Sequence, residues 1–263
     1  MENSLNLNTK DYSIIDGVFK GLSSDFTDFC IPEGVTTITA GSFKNCHKLY
    51  RVTLPSTLKN IEPNAFQGCT CLVEIINRSS LPLKTTYGSF GGVCNNAKSV
   101  VTDQKDSVIS VTKDKLVLLK TADGFAVVTY LGRKKQIVIP DGVTEISKEA
   151  FYSSSCESVI LPSTLKRIGG KAFYCSKIKK MTLPSSVETL YERVFDCCEI
   201  VELNILNPDI YFYPEILNHA YDLTTVRFAG TKSQWENLFD DRDTQPYSAS
   251  FTVIFANGET KEY

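Results

Sequence analysis

The chain has 263 residues, of which 28 are Lys or Arg and 30 are Asp or Glu, so its formal net charge is −2. This balance lacks the basic excess that neutralises phosphate backbones, which argues against a nucleic-acid partner. The longest purely apolar runs, such as residues 116–119, fall far short of the roughly 20 residues that a membrane helix needs, so we expect no membrane insertion.

Residues 1–30 are predicted to form an N-terminal hairpin and cap. Asp16 and Gly17 separate two short apolar stretches, and an Asp-Gly pair in this setting is a strong hairpin signal. The opening segment, MENSLNLNTKDY, lacks a basic start followed by an apolar stretch. No secretory signal is therefore expected there, and the protein either stays inside the cell or is a trimmed mature form.

Residues 31–104 are predicted to form a first repeat array, and residues 139–229 a second one. Five segments align on a proline that has an apolar residue directly before it and aliphatic residues three and six positions after it. A phenylalanine follows each proline by eleven positions, and the period is 22 or 23 residues. The prolines are Pro32, Pro55, Pro140, Pro162 and Pro184, and the phenylalanines are Phe43, Phe66, Phe151, Phe173 and Phe195.

This period fits one short strand and a turn, and it is too short for two helices with their turns. Alternating apolar residues before the prolines, such as Val52 with Leu54 and Met181 with Leu183, predict strands with one inward face. Proline ends each strand because it has no N–H group for the next ladder bond. One unit cannot bury its apolar face alone. The predicted fold is therefore a solenoid with a strand and a turn or short helix per rung, and with a parallel sheet on one face.

Residues 105–138, between the arrays, are predicted to form an intervening hairpin, because Asp123 and Gly124 again separate apolar stretches. In the less regular stretch before it, Phe90 continues the phenylalanine column at a spacing of 24 residues. Residues 230–263 are predicted to form a C-terminal cap over the last rung. All five segments together are expected to make one continuous solenoid domain.

The segment 49–69 reads L-x-x-V-x-L-P-x-x-L-x-x-I-x-x-x-A-F-x-x-C and resembles the BspA-like subtype of leucine-rich repeat. The pattern recurs over 31–76 and 139–228, and the segment FAGTKSQW at 228–235 resembles the usual closing segment of that family. The resemblance implies a leucine-rich repeat solenoid that is secreted or lies at the cell surface, binds host or matrix components, and has no catalytic activity. An asparagine ladder typical of the broader repeat pattern is absent, so other groups must satisfy the backbone amides at that bend. The positions concerned are Gly34, Thr57, Gly142, Thr164 and Ser186.

The nine cysteines predict neither a disulfide framework nor a metal site. Five of them fall on or within two residues of the repeat's cysteine column, where a free thiol acts as a small buried hydrophobe. These are Cys46, Cys69, Cys156, Cys175 and Cys198. The pairs Cys69/Cys71 and Cys197/Cys198 lack zinc-site spacing, and the only histidines are His47 and His219. We therefore expect no metal, no cofactor and no catalytic set.

Residues that alternate with the inward strand positions are predicted to form an outward binding face. This face comprises Arg51, Thr53, Glu74, Ile76, Gln136, Val138, Ser158, Ile160, Lys180, Thr182, Glu202, Asn204, Thr225 and Arg227. Its charges alternate in sign along neighbouring rungs, which also fits a solvated face without a ligand. The aromatic segment 211–213 is a second candidate contact region, although it also fits the core of an irregular rung.

The sequence thus favours non-enzymatic recognition of a protein or glycan, such as adhesion, through the strand face. Two alternatives stay open. One is a structural spacer module of a surface protein with little binding of its own. The other is a carbohydrate-active β-solenoid enzyme, against which stands the lack of an Asp column on successive rungs. The family resemblance favours a surface or secreted location, and the missing export signal leaves a cytoplasmic one open.

Overall fold

A computed structural model describes residues 7–23, 26–83, 99–213, 215–238 and 250–263. The chain forms two compact units, Met1–Ser110 and Val111–Tyr263, and each is a β-solenoid whose strands pair in parallel apart from the hairpins at the ends of the sheets. The predicted segment boundaries and the single continuous solenoid stay predictions. Phe90 lies outside the described residues.

The described part of the first unit contains nine strands in two sheets. The strands are β1 (Leu7–Asn8), β2 (Tyr12–Ile15), β3 (Val18–Leu22), β4 (Asp28–Cys30), β5 (Thr37–Ile38), β6 (Arg51–Leu54), β7 (Asn60–Ile61), β8 (Glu74–Asn77) and β9 (Ser99–Val101). One sheet has the order β1-β2-β3-β5-β7 and the other β4-β6-β8-β9. A 3-10 helix (Gln104–Asp106) follows β9, and β10 (Ile109–Val111) spans the boundary between the units.

The second unit repeats this plan. Its strands are β11 (Leu116–Thr121), β12 (Gly124–Tyr130), β13 (Gln136–Val138), β14 (Val143–Ile146), β15 (Ser158–Ile160), β16 (Arg167–Ile168), β17 (Lys180–Leu183), β18 (Thr189–Leu190), β19 (Glu202–Ile205), β20 (Tyr211–Phe212), β21 (Thr225–Phe228), β22 (Thr252–Ile254) and β23 (Thr260–Glu262), and its helix is α1 (Lys232–Asn237). One sheet runs β11-β12-β14-β16-β18-β20, and the other runs β13-β15-β17-β19-β21-β22-β23.

The predicted parallel sheet is confirmed, but each unit has a second parallel sheet that the sequence analysis did not predict. It contains the aliphatic residue six positions after each proline, as where Arg167–Ile168 pairs in register with Thr189–Leu190. A two-residue strand is too short to show an alternating pattern, which is why the sequence favours turns or short helices in these segments. The rungs that begin with β4, β6, β13, β15, β17 and β19 therefore each contribute one strand to each sheet of their unit.

Both predicted hairpins are present, and each leads into the second sheet of its unit. Asp16 and Gly17 connect β2 and β3 with φ angles of 51° and 73°, the left-handed pair that a tight hairpin turn requires. β11 and β12 pair from Leu116↔Tyr130 to Thr121↔Gly124. β3 then pairs in parallel with β5, and β12 with β14.

The repeated phenylalanines form a buried stack inside each unit, as predicted. In the second unit, the ring centroid of Phe173 lies 5.1 Å from that of Phe151 and 5.7 Å from that of Phe195, and all three rings are almost fully buried. In the first unit, Phe43 lies 4.5 Å from Phe66 in the same stacked arrangement. Each ring thus fills space between its neighbours above and below, where interior packing tolerates few voids.

Two corners of each described rung have left-handed backbone, with φ between 50° and 81°. The first corner lies two residues before the phenylalanine column, and the second lies two residues after it. The first set is Gly41, Asn64, Glu149, Lys171, Arg193 and Glu215, and the second is Asn45, Gly68, Ser153, Cys175, Cys197 and His219. The sequence does not reveal these corners, because most of them are filled by residues other than glycine, which normally avoid this conformation.

At two of the five bend positions, Gly34 and Gly142, a threonine hydroxyl takes the place of the missing asparagine. The amide N–H of Gly34 donates to Thr57 Oγ1 over 2.9 Å, and that hydroxyl donates to the carbonyl of Val35 over 2.8 Å. Gly142 and Thr164 form the same bridge over 3.2 Å in the second unit. The next rung therefore satisfies the backbone amide at the bend, as buried polar groups require.

The C-terminal cap closes the second unit around one tryptophan. α1 begins with a capping box at Thr231 and buries Trp235 completely. The indole packs edge-on against Phe228 at 5.3 Å and Tyr263 at 6.3 Å. No helix within the described ranges is long and apolar enough to cross a bilayer.

Truncating Phe173 to Ala is expected to lower the free energy of unfolding by about 3–5 kcal/mol, because the change leaves a cavity between two stacked rings. Thr182→Val, on the exposed side of β17, serves as the control and is expected to stay within about 0.5 kcal/mol of wild type. Urea denaturation followed by circular dichroism measures both. Equal stability of Phe173→Ala and wild type would contradict an interior position of the ring.

Candidate functional site

The four predicted face residues of the first unit are buried. Arg51 and Thr53 are 7% and 6% exposed, and Glu74 and Ile76 are 0% and 1% exposed. The prediction that these side chains face solvent is therefore wrong. The alternation of side chains along β6 and β8 indicated on which side of the sheet these four residues lie. It could not show that another part of the chain covers that side.

The segment that follows β9 contacts Arg51 and Glu74, which belong to an ion-pair and hydrogen-bond network. Arg51 Nε donates to Glu74 Oε2 over 2.7 Å, and its Nη1 donates to Asp28 Oδ2 over 3.1 Å. Ser107 Oγ accepts from Arg51 Nη2 and donates to Glu74 Oε2, both over 2.8 Å. The amide of Val108 donates to Glu74 Oε1 over 3.2 Å. Burial disfavours the charged guanidinium, but the hydrogen bonds and charges of Glu74 and Asp28 outweigh it and raise the pKa of Arg51.

The same face of the second unit is open. Its ten predicted residues are exposed or partly exposed, while the residues between them are buried. The ten are Gln136, Val138, Ser158, Ile160, Lys180, Thr182, Glu202, Asn204, Thr225 and Arg227. Parallel register places corresponding positions side by side, as for Val138 with Ile160 and Asn204 with Arg227. Their role in binding stays a prediction.

The charged residues of this open face pair with one another. Lys180 Nζ lies 3.2 Å from Glu202 Oε2, and Arg227 Nε lies 3.3 Å from Glu202 Oε1. The hydrogen bond from Lys180, with a smaller contribution from Arg227, lowers the pKa of Glu202. The other end of the face is apolar, because Val138 is 56% and Ile160 is 48% exposed.

The aromatic segment 211–213 has both buried and exposed rings, and its role as a contact region stays a prediction. Phe212 is buried, whereas Tyr211 and Tyr213 are 44% and 37% exposed. The ring of Tyr213 stacks on that of Tyr191 at a centroid distance of 4.8 Å. These residues extend the second sheet, so the tyrosines lie on a surface separate from the predicted binding face.

A cluster of Asp196, Cys197 and His219 lies at the second corner of two consecutive rungs. His219 Nδ1 lies 2.9 Å from Asp196 Oδ1, and Cys197 Sγ donates to the same oxygen over 3.3 Å. Arg193 binds the other carboxylate oxygen over 2.6 Å. Asp196 is fully buried. The three possible ligand atoms all lie within 4.8 Å of one another, so the cluster could hold a metal ion.

Spacings within a single motif do not bring these three residues together. Cys197 and His219 are 22 residues apart and occupy the same position of successive rungs. Aligning the second corner in register, as Ser153, Cys175, Cys197 and His219, would have found the pair. The same alignment explains why Cys175 is exposed and not buried as predicted: it lies at the corner, one residue before the cysteine column.

A two-sheet solenoid of 22–23-residue rungs with a stacked phenylalanine core is a leucine-rich repeat structure. The family model for the BspA type leucine rich repeat region matches six copies in this chain, over residues 3–112 and 130–241. The chain belongs to this family. Comparison with curated protein sequences gives no match.

Solved structures with a similar fold include a leucine-rich repeat protein from Eubacterium ventriosum, with a TM-score of 0.51 and 15% identity over 94% of this chain and 84% of that one. The pneumococcal vaccine antigen PcpA gives a TM-score of 0.49 and 15% identity, covering 86% of this chain and 82% of PcpA. A leucine rich cell surface protein from Faecalibacterium prausnitzii gives a TM-score of 0.45 and 18% identity, covering 82% of this chain and 63% of that protein. At these identities the Eubacterium structure supports the fold alone.

Glu74→Gln is expected to lower the free energy of unfolding by about 3–5 kcal/mol, because it removes the main counter-charge of a buried guanidinium. Glu202→Gln is the matched control. It changes the same strand position in the exposed network of the second unit and is expected to cost at most about 1 kcal/mol. Chemical denaturation of both variants tests the difference. Equal losses would contradict the burial of the Arg51 network.

Proposed function

We propose that this chain is a non-enzymatic recognition module that binds a partner macromolecule through the open strand face of its second unit. The observation that carries the proposal is the contrast between the units: the chain covers this face in the first unit and leaves it exposed in the second. A parallel sheet holds the ten exposed or partly exposed side chains at fixed spacing, so the face is pre-organised for binding. Exposed solenoid faces are the usual contact surfaces of repeat proteins.

The composition of the face favours a protein partner over a glycan. Val138 and Ile160 form an adjacent apolar pair, and the ion-paired side chains of Lys180, Glu202 and Arg227 lie further along the sheet. Protein interfaces combine apolar contact area with polar and charged groups, and this face offers both. None of the ten residues is aromatic, so the face lacks the flat rings on which sugars commonly stack.

We also propose that the protein acts at the cell surface or is secreted, which is the usual setting of BspA-type repeat proteins. Adhesion to a host or matrix component is the form of recognition that this setting favours. The prediction that no export signal is present concerned only the opening segment. The proposed location is therefore supported by the family to which the chain belongs.

A structural spacer is the second candidate, and one observation favours it. The carboxylate of Glu202 already pairs with both Lys180 and Arg227, which leaves little unpaired charge to attract a ligand.

An enzymatic role has weaker support. Glycoside hydrolysis ordinarily needs two carboxyl groups that flank the substrate, and Glu202 is the only carboxylate among the ten face residues.

The double variant Val138→Thr/Ile160→Thr is expected to weaken binding of a partner at least about tenfold, which corresponds to about 1.4 kcal/mol. Partners are first isolated from extracts of host cells and matrix and identified by mass spectrometry, and a glycan array is run in parallel. Affinity is then measured by surface plasmon resonance. Ile15→Thr, at a 53% exposed position of the first unit, is the control and should bind like wild type.

Unchanged affinity of the double variant, with its melting temperature preserved, would remove the strand face as the contact surface. Blank results from both the extracts and the glycan array would favour the spacer. A glycan that binds wild type and loses affinity with the double variant would support recognition through this face and overturn the preference for a protein partner.

A further inference from the structure

The corner cluster of the second unit brings three different metal-binding atoms close to the spacing of a tetrahedral site. Oxygen, nitrogen and sulfur ligands around Zn²⁺ lie about 3.3–3.6 Å from one another, given metal–ligand distances of about 2.0–2.3 Å. Asp196 Oδ1 lies 2.9 Å from His219 Nδ1 and 3.3 Å from Cys197 Sγ. All three atoms fall within 4.8 Å of one another. Small side-chain movements would therefore create the coordination geometry.

We propose that Asp196, Cys197 and His219 form a Zn²⁺ site that links two consecutive rungs of the solenoid. Thiolate and imidazole ligands favour a borderline metal such as zinc over Mg²⁺ or Ca²⁺, which prefer oxygen ligands. The side chain of His219 is 42% exposed, and Cys197 is also exposed, so solvent can reach the fourth coordination position. Three protein ligands and one open position make a site that can exchange its metal or accept a ligand.

Arg193 positions the carboxylate of this site. Its guanidinium binds Asp196 Oδ2, which leaves Oδ1 directed at Cys197 and His219. Ligating carboxylates are commonly held in this way by a neighbouring donor. Since Asp196 is buried while the other two ligands reach the surface, it provides a fixed base for the site.

Metal binding at this cluster replaces hydrogen bonds and releases protons. Cys197 now donates its thiol hydrogen to Asp196, so it must lose that proton to solvent to bind zinc as a thiolate. To bind zinc, Nδ1 of His219 needs a free lone pair. A neutral ring has one when its proton is on Nε2, whereas an imidazolium must first release its Nδ1 proton. Because the ligands must lose these protons, affinity for zinc should increase with pH.

Cobalt spectroscopy of the full chain tests the site directly. The reduced, tag-free and metal-stripped protein is titrated with Co²⁺, which gives a sulfur-to-cobalt charge-transfer band when a thiolate coordinates it. The expected result is a band that saturates at one equivalent, disappears when Zn²⁺ is added, and is absent in Cys197→Ser. His219→Gln should weaken Co²⁺ binding at least about tenfold.

Matched controls come from the other unit. Cys30→Ser changes another exposed cysteine, and His47→Gln changes the other histidine of the chain. Both should retain the band, and zinc should raise the melting temperature of wild type and both controls but not of Cys197→Ser. The proposal is overturned if wild type shows no band, if Cys197→Ser keeps it, or if Cys30→Ser or His47→Gln removes it. Circular dichroism of each variant separates loss of a ligand from loss of the fold.

Discussion

Stacking of one phenylalanine ring per rung is the interaction on which the rest of this structure depends. Phe151, Phe173 and Phe195 pack face to face in the second unit, and Phe43 packs on Phe66 in the first. The rings repeat every 22 or 23 residues, so the stack holds successive rungs in register and allows their strands to pair in parallel. Every outward position is then repeated along the surface, and side chains that are distant in sequence become neighbours.

The same repeat position therefore has a different role in each of the two units. Arg51 and Glu74 occupy neighbouring rungs and form a buried ion pair beneath the segment after β9. Lys180 and Glu202 occupy the equivalent positions in the second unit, where their ion pair stays at the surface. Burial makes the first pair a structural element, whereas exposure leaves the second on the face that we propose for binding. The recurring residues build the scaffold, and the variable ones determine what each surface can do.

Sequence reasoning was reliable wherever a local pattern has a direct physical cause. Val52 and Leu54 showed the inward side of a strand because side chains alternate, and Asp16-Gly17 marked a hairpin because its turn needs left-handed residues. It failed where the cause lies in a distant part of the chain. The covering of Arg51 depends on Ser107, in a segment without the repeat. The metal-binding geometry depends on two rungs meeting at a corner, which no single motif contains.

A double-mutant cycle on adjacent rings tests the central claim most directly. Phe151 and Phe173 are changed to Leu singly and together, and the free energies of unfolding are compared. Stacked rings should show a coupling of about 0.5–1.5 kcal/mol beyond their separate effects. The pair Phe151/Phe195, two rungs apart, should be additive within about 0.5 kcal/mol. Additive changes at Phe151 and Phe173 would contradict a core built on contact between successive rings.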